Sequence, residues 1–93
     1  MLTPWGVSEG IEPAFRTETI IFVWTGGHGG WGIQTNSAEW KRLSPLSLAF
    51  SKKWSHGMET VSGYQWFEED CGYNYLLADL PEIVSSLPVL EVS

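Results

Sequence analysis

Residues 20–24 read Ile-Ile-Phe-Val-Trp, and this run constrains the fold more than any other part of the chain. β-Branched and aromatic side chains fit a pleated backbone, and an unbroken apolar stretch bounded by Thr and Gly predicts a strand over Glu18 to Trp24, buried on both faces. The composition then changes abruptly. Gly26-Gly27-His28-Gly29-Gly30-Trp31-Gly32 holds five glycines in seven positions. Such a string can make a tight hairpin or a wide loop; the expectation is a turn needing positive φ angles, with His28 at its tip and a returning strand over Trp31 to Thr35.

The flanking segments read less sharply. Pro4, Gly6, Gly10 and Pro13 predict an irregular lead-in over 1–16, anchored by Trp5. Asn36 and Glu39 have capping-box spacing, so a helix is expected from Asn36, with Trp40 and Leu43 on its apolar side and Pro45 as its end. Over 46–57, Leu46, Leu48 and Phe50 alternate as in a strand, while LSLAFSKKW fits a helical turn equally well. Tyr64 to Phe67 reads as a strand. For Tyr73 to Leu80, the alternation of Tyr73, Tyr75 and Leu77 after the Gly72 break favours a strand over a helix. A short helix is expected from Pro81, with Ile83, Val84 and Leu87 inward and Pro88 as its stop; the last residues, LEVS, are an edge strand or a frayed tail. Together these give an α+β fold, a small antiparallel sheet with one or two short helices in a single domain over 1–93.

Six Trp and 43% hydrophobic residues in 93 argue against disorder, and the surplus of indoles suggests that one or two lie on a contact surface. A lone cysteine, Cys71, excludes an internal disulfide and points to a cytoplasmic protein. The opening MLTPWGVSEG lacks a secretory pattern, and the apolar run at 20–24 is far short of the roughly 18–20 residues that cross a bilayer, so no membrane association is expected.

The formal charge is −6, and its distribution is uneven. Arg16, Lys41, Arg42, Lys52 and Lys53 all precede Trp54; Glu59, Glu68, Glu69, Asp70, Asp79, Glu82 and Glu91 all follow it. Acidic surface is repelled by phosphate, so direct nucleic-acid binding is disfavoured, and a partner protein with a basic surface is the complementary expectation.

The glycine string carries no following Lys-Ser/Thr and so is not a phosphate-binding loop. Gly27, Gly29 and Gly32 satisfy GxGxxG spacing, but a strand-like run follows where a dinucleotide site needs a helix. His28 has the chemistry of a general base and would form a nucleophilic couple with Cys71 if the two met; otherwise Cys71 reads as a small buried apolar residue. Glu68 and Asp70 would share one face of a strand and converge on Mg²⁺ or Ca²⁺, and His28, His56 and Cys71 would suit zinc. Neither set has a ligand-spacing signature, so no metal or cofactor is expected and residues 68–70 read as a solvated acidic turn.

Thr3-Pro4-Trp5-Gly6, His28-Gly29-Gly30 before a strand, and Trp66-Phe67-Glu68-Glu69-Asp70-Cys71 before an apolar stretch and Leu80-Pro81 resemble, in that order, a domain of unknown function found in bacterial and mobile-element proteins. The resemblance spans Thr3 to Pro81, with no match over Ser44 to Ser62. It implies no activity, but it raises the expectation that His28 and the carboxylates converge. By analogy with small accessory proteins of mobile elements, it also implies a phage-derived, anti-CRISPR-like inhibitor of a host defence complex.

The preferred expectation is a binding protein with no catalytic residues. Glu68, Glu69, Asp70, Asp79 and Glu82 would face a basic partner such as a nucleic-acid-binding effector, with Trp54 and Trp66 as desolvated anchors. His28, Gly29, Gly30 and Cys71 form a possible polar site. The rival expectation is a small enzyme in which His28 acts as acid or base and Glu68, Glu69 or Asp70 positions it or a metal. The third is a homo-oligomeric structural module, a homodimer in its simplest form, that buries the surplus aromatics against a copy of itself.

Overall fold

The structure, a computed structural model, describes residues 1–14 and 17–82. Its centre is a four-stranded antiparallel sheet in the order β3-β4-β5-β6, made of β3 (Gly10–Ala14), β4 (Thr17–Trp24), β5 (Gly29–Gln34) and β6 (Tyr64–Glu68). Two short strands, β1 (Leu2–Thr3) and β2 (Gly6–Val7), pair as a separate hairpin. Among the described residues two α-helices complete the α+β fold, α1 (Pro45–Lys53) and α2 (Glu69–Asp79).

Strand periodicity divides the apolar side chains between two cores. Ile20, Trp31, Ile33 and Phe67 point to the helical side, where Leu43, Phe50, Leu76 and Leu80 close over them. Ile21, Val23 and Trp66 point the other way, beneath Trp5, Val61 and Tyr64. The 20–24 run is therefore covered on both faces up to Val23, as its composition requires, and Trp24 emerges at the strand end.

Packing, and not a demand for positive φ, explains the glycines of β5. A Cβ at Gly30 would lie 2.2 Å from the Trp5 ring and 2.7 Å from the Phe67 carbonyl oxygen; at Gly32 it would lie 2.8 Å from the Trp66 ring. Two indoles thus rest directly on bare backbone. The expected positive-φ turn is corrected accordingly, because the glycines with positive φ are Gly6, Gly57 and Gly63. The hairpin is tight: Trp24 pairs with Gly29, and Thr25 closes the turn with its N–H donating to the His28 carbonyl at 2.7 Å.

Three sequence expectations fail for identifiable reasons. Pro45 opens α1 instead of ending a helix, since a first-turn residue needs no N–H donor, and the Ser44 hydroxyl caps the turn by accepting from the Ser47 N–H. The Asn36 capping box does not form: Asn36 has φ 69°, Glu39 accepts instead from the Thr19 hydroxyl, and only a short 3-10 turn, Trp40–Arg42, follows. Residues 73–79 belong to α2 and not to a strand. Gly72 does not break the chain there; it is the small residue that lets α2 sit on Phe67, whose Cβ would be 2.9 Å from a methyl at that position. The lead-in is also more regular than expected, since it contributes β1, β2 and β3. Most of the helix expected from Pro81, and the LEVS terminus, lie outside the described residues. No helix among the described residues is long and apolar enough to cross a membrane.

Candidate functional site

At the end of the sheet where β5 begins and β6 finishes, Gly30 pairs with Glu68, and four connecting segments crowd around that corner. The β1–β2 turn brings Trp5, the β4–β5 turn brings His28, and the turn after α1 brings Trp54 and His56. The junction of β6 and α2 brings Glu68, Asp70 and Cys71. These seven residues line a cleft of about 410 Å³, within the usual range for small-ligand pockets.

Each member is placed by a local cause. Trp5 is held edge-on to Trp66, with ring centroids 5.9 Å apart, and the Thr3 hydroxyl accepts from its N–H. His28 is fixed through its backbone in the Thr25 turn, leaving its imidazole exposed. Glu68 caps α2, its Oε1 accepting from the Cys71 N–H at 3.0 Å. Trp54 ends α1 and is 50% exposed, with Lys53 Nζ 5.5 Å from its ring centroid.

The charge at this corner exceeds what the helix needs. Carboxylates near a helix N-terminus are stabilised by its partial positive charge, on the order of half an elementary charge. Glu68, Glu69 and Asp70 supply three negative charges there, and among the described residues none of them forms an ion pair with Lys or Arg. The crowding is visible in Asp70: hydrogen bonding to the Glu68 carboxylate and repulsion from it push the Asp70 carboxyl above its ordinary value, while His28 nearby pulls it down.

Asp79 and Glu82, the other two acidic residues expected at the contact, are occupied elsewhere. Asp79 lies at the far end of α2, where its Oδ2 accepts from the Ser44 N–H and the Ser47 hydroxyl and so joins α2 to the first turn of α1. Burial alone would push its carboxyl up, but those bonds and Arg42 hold it below the ordinary value. Glu82 accepts from both Arg42 nitrogens at 2.6 and 3.0 Å. An eleven-residue helix, roughly 16 Å long, therefore separates two acidic clusters, and only the one at 68–70 is without a basic partner among the described residues.

The remaining expected site residues fall as follows. Trp66 is 0% exposed and belongs to the second core, which corrects its assignment as a contact anchor; Trp54 has the exposure that role requires. Gly29 and Gly30 are buried packing positions beneath Glu69, Trp5 and Phe67, so of the possible polar site only His28 and Cys71 line the cleft. Cys71 is exposed, not a small buried apolar residue. His28 and His56 share the cleft with the carboxylates, but among the described residues no hydrogen bond joins either imidazole to Glu68, Asp70 or Cys71, and no group of three or more His, Cys, Asp or Glu is arranged to hold a metal ion. Trp5 was expected only as an anchor for the lead-in; nothing in the sequence signals that it also forms a cleft wall.

Comparison of the chain with protein-family models, with curated proteins and with solved structures finds no match.

Proposed function

We propose that the protein is an acidic binding module that docks on a basic surface of a partner protein, with the cleft beside the first turn of α2 as its contact site. The observation that carries this is the uncompensated charge of Glu68, Glu69 and Asp70 next to the exposed indole of Trp54. Carboxylates steer and orient a basic partner, and a half-exposed indole supplies the apolar area that a desolvated contact needs. In its narrowest form the partner is a nucleic-acid enzyme whose basic groove receives this corner, an anti-CRISPR-like action supported by charge complementarity and by the analogy drawn from the three motifs. The site of action is the cytoplasm, where an exposed lone thiol stays reduced.

The test is affinity for a partner captured on the immobilised protein and then purified. A Glu68→Lys, Glu69→Lys, Asp70→Lys variant with a native amide spectrum is expected to bind at least ten-fold more weakly. The neutral triple Glu68→Gln, Glu69→Gln, Asp70→Asn, which strains the helix start less, is expected to fall between. Wild-type affinity in both would remove the proposal.

One observation favours a second reading, acid–base chemistry in the same cleft: His28, His56, Asp70 and Cys71 all line it. Such chemistry needs a base within hydrogen-bond reach of the group it activates. Alkylation of Cys71 by iodoacetamide discriminates, because an activated thiol would slow at least ten-fold in His28→Asn or His56→Asn, whereas a bystander thiol would react at the wild-type rate.

A further inference from the structure

We infer that the free edge of β3 takes up an extended segment of a protein partner as an added strand, with a basic residue of that segment beside Glu12. This is a second contact surface, beyond the cleft proposed above. The two edges of the sheet differ. On β6, the Trp66 N–H donates to the Glu59 carbonyl at 3.0 Å and the Trp66 carbonyl accepts from the Ser51 hydroxyl at 2.6 Å, so the chain closes that edge itself. β3 stands at the other end of the strand order and pairs with β4. Pro13 is in register with Ile21 there but has no N–H to donate. Antiparallel pairs alternate between bonded and non-bonded, so the ladder bonds run through Gly10 and Glu12. The N–H and C=O of Ile11 and the C=O of Pro13 therefore point away from β4. Among the described residues no hydrogen bond from outside the ladder reaches them.

Such an edge specifies its occupant. Outward donors and acceptors along an extended backbone are matched by another strand, whereas a helix has already spent its own. Side chains then set the sequence. Residues in register share a face, so Ile11 lies with Val23 on the Trp66 side and Glu12 with Phe22 on the helical side. Ile11 is 44% exposed and favours an aliphatic or β-branched residue opposite it. Glu12 is exposed and forms no ion pair among the described residues, so a basic residue fits opposite it. The Trp24 ring fills the space where Gly10 would carry a side chain, 2.0 Å from an added Cβ, so the partner residue opposite Gly10 meets an indole. A second copy of this chain fits less well, because antiparallel self-pairing sets one Glu12 beside another in a chain of net charge −6.

The measurement is NMR of the ¹⁵N-labelled full chain, alone and titrated with the blocked peptide acetyl-Thr-Val-Lys-Val-Lys-Thr-amide. In the free chain the Ile11 amide is expected to exchange with solvent rapidly, while the Glu12 amide, bonded to β4, is protected. The peptide is expected to shift the amides of residues 10–12 and the Trp24 indole, saturating in the millimolar range, and to slow Ile11 exchange several-fold. N-Methylation of both valines keeps the side chains and removes the donors that would face β3; it should weaken binding at least ten-fold. Replacing both lysines by glutamate should abolish saturation. Ile11→Pro, which removes the outward donor and spares the ladder bonds, should do the same. Glu12→Gln, which leaves the backbone as it is, should weaken binding several-fold.

A slowly exchanging Ile11 amide in the free chain overturns the inference, since the edge is then already paired; nuclear Overhauser contacts from Ile11 would identify the occupant as residues 83–93 or a second copy. Equal binding of the N-methylated peptide overturns it as well, as do shifts centred on residues 68–71 with residues 10–12 unmoved. The two proposals fail separately. Charge reversal at 68–70 tests the cleft and leaves β3 untouched, whereas N-methylation of the peptide tests the edge alone.

Discussion

The indole of Trp5 lies on Gly30 so closely that an added methyl group would come within 2.2 Å of the ring. This contact fastens the β1–β2 hairpin to the sheet and sets one wall of the cleft. Gly30→Ala is accordingly expected to cost about 1–3 kcal/mol, the usual penalty for overpacking a filled core. Gly27→Ala, two positions before β5 and with open space around it, is expected to change stability by less than about 0.5 kcal/mol. Urea denaturation of both variants checks the pair, and equal midpoints would show that the Trp5 contact is not a constraint.

Asp79 couples the end of α2 to the start of α1, so Asp79→Ala is expected to lose about 1–3 kcal/mol by leaving the Ser44 N–H and the Ser47 hydroxyl without their acceptor. The sign of its pH dependence follows from a carboxyl held below its ordinary value of 3.8. The folded state binds that proton less tightly than the unfolded chain. The stabilisation is therefore fully present above about pH 4 and disappears as the pH falls through the folded-state value. Stability curves of wild type and Asp79→Ala should converge in acid; a gap that persists at pH 2 would place the contribution in packing.

Asp70 behaves in the opposite sense, because Glu68 pushes its carboxyl upward. Glu68→Gln is expected to lower the Asp70 titration midpoint and His28→Asn to raise it, both read from the Asp70 carboxyl ¹³C shift. An Asp70 midpoint indifferent to Glu68 would mean that the two carboxylates do not share the mouth of the cleft in solution.

How much of this could be read from the sequence depends on whether the determining contact is local. β4 and β6 were legible because their β-branched and aromatic runs express strand preference directly. α2 was not, since Tyr73, Tyr75 and Leu77 mimic strand alternation, while its actual determinants are the Glu68 cap and the fit of Gly72 against Phe67. Pro45 is ambiguous by nature: it stops a helix from within and starts one at the first turn. The glycine string was read through backbone freedom, when its last glycines serve as seats for Trp5 and Trp66. Convergence of His28 with residues 68–71 was an expectation drawn from the motif resemblance, and the cleft does bring His28, Glu68, Asp70 and Cys71 together. Trp54 and His56 join them only through the path of the chain after α1, which no periodicity encodes. The acidic C-terminal half read as one face, yet Arg42, forty residues away in sequence, claims Glu82 and leaves the 68–70 cluster by itself.

The most direct test of the docking site is chemical-shift mapping of the ¹⁵N-labelled chain against its purified partner. The earliest and largest changes are expected at the Trp5 and Trp54 indoles, at His28 and His56, and at residues 68–71. Changes concentrated instead on Ile11 and Trp24 at the β3–β4 edge, or on Asp79 and Glu82 at the far end of α2, with the cleft resonances unmoved, would contradict it.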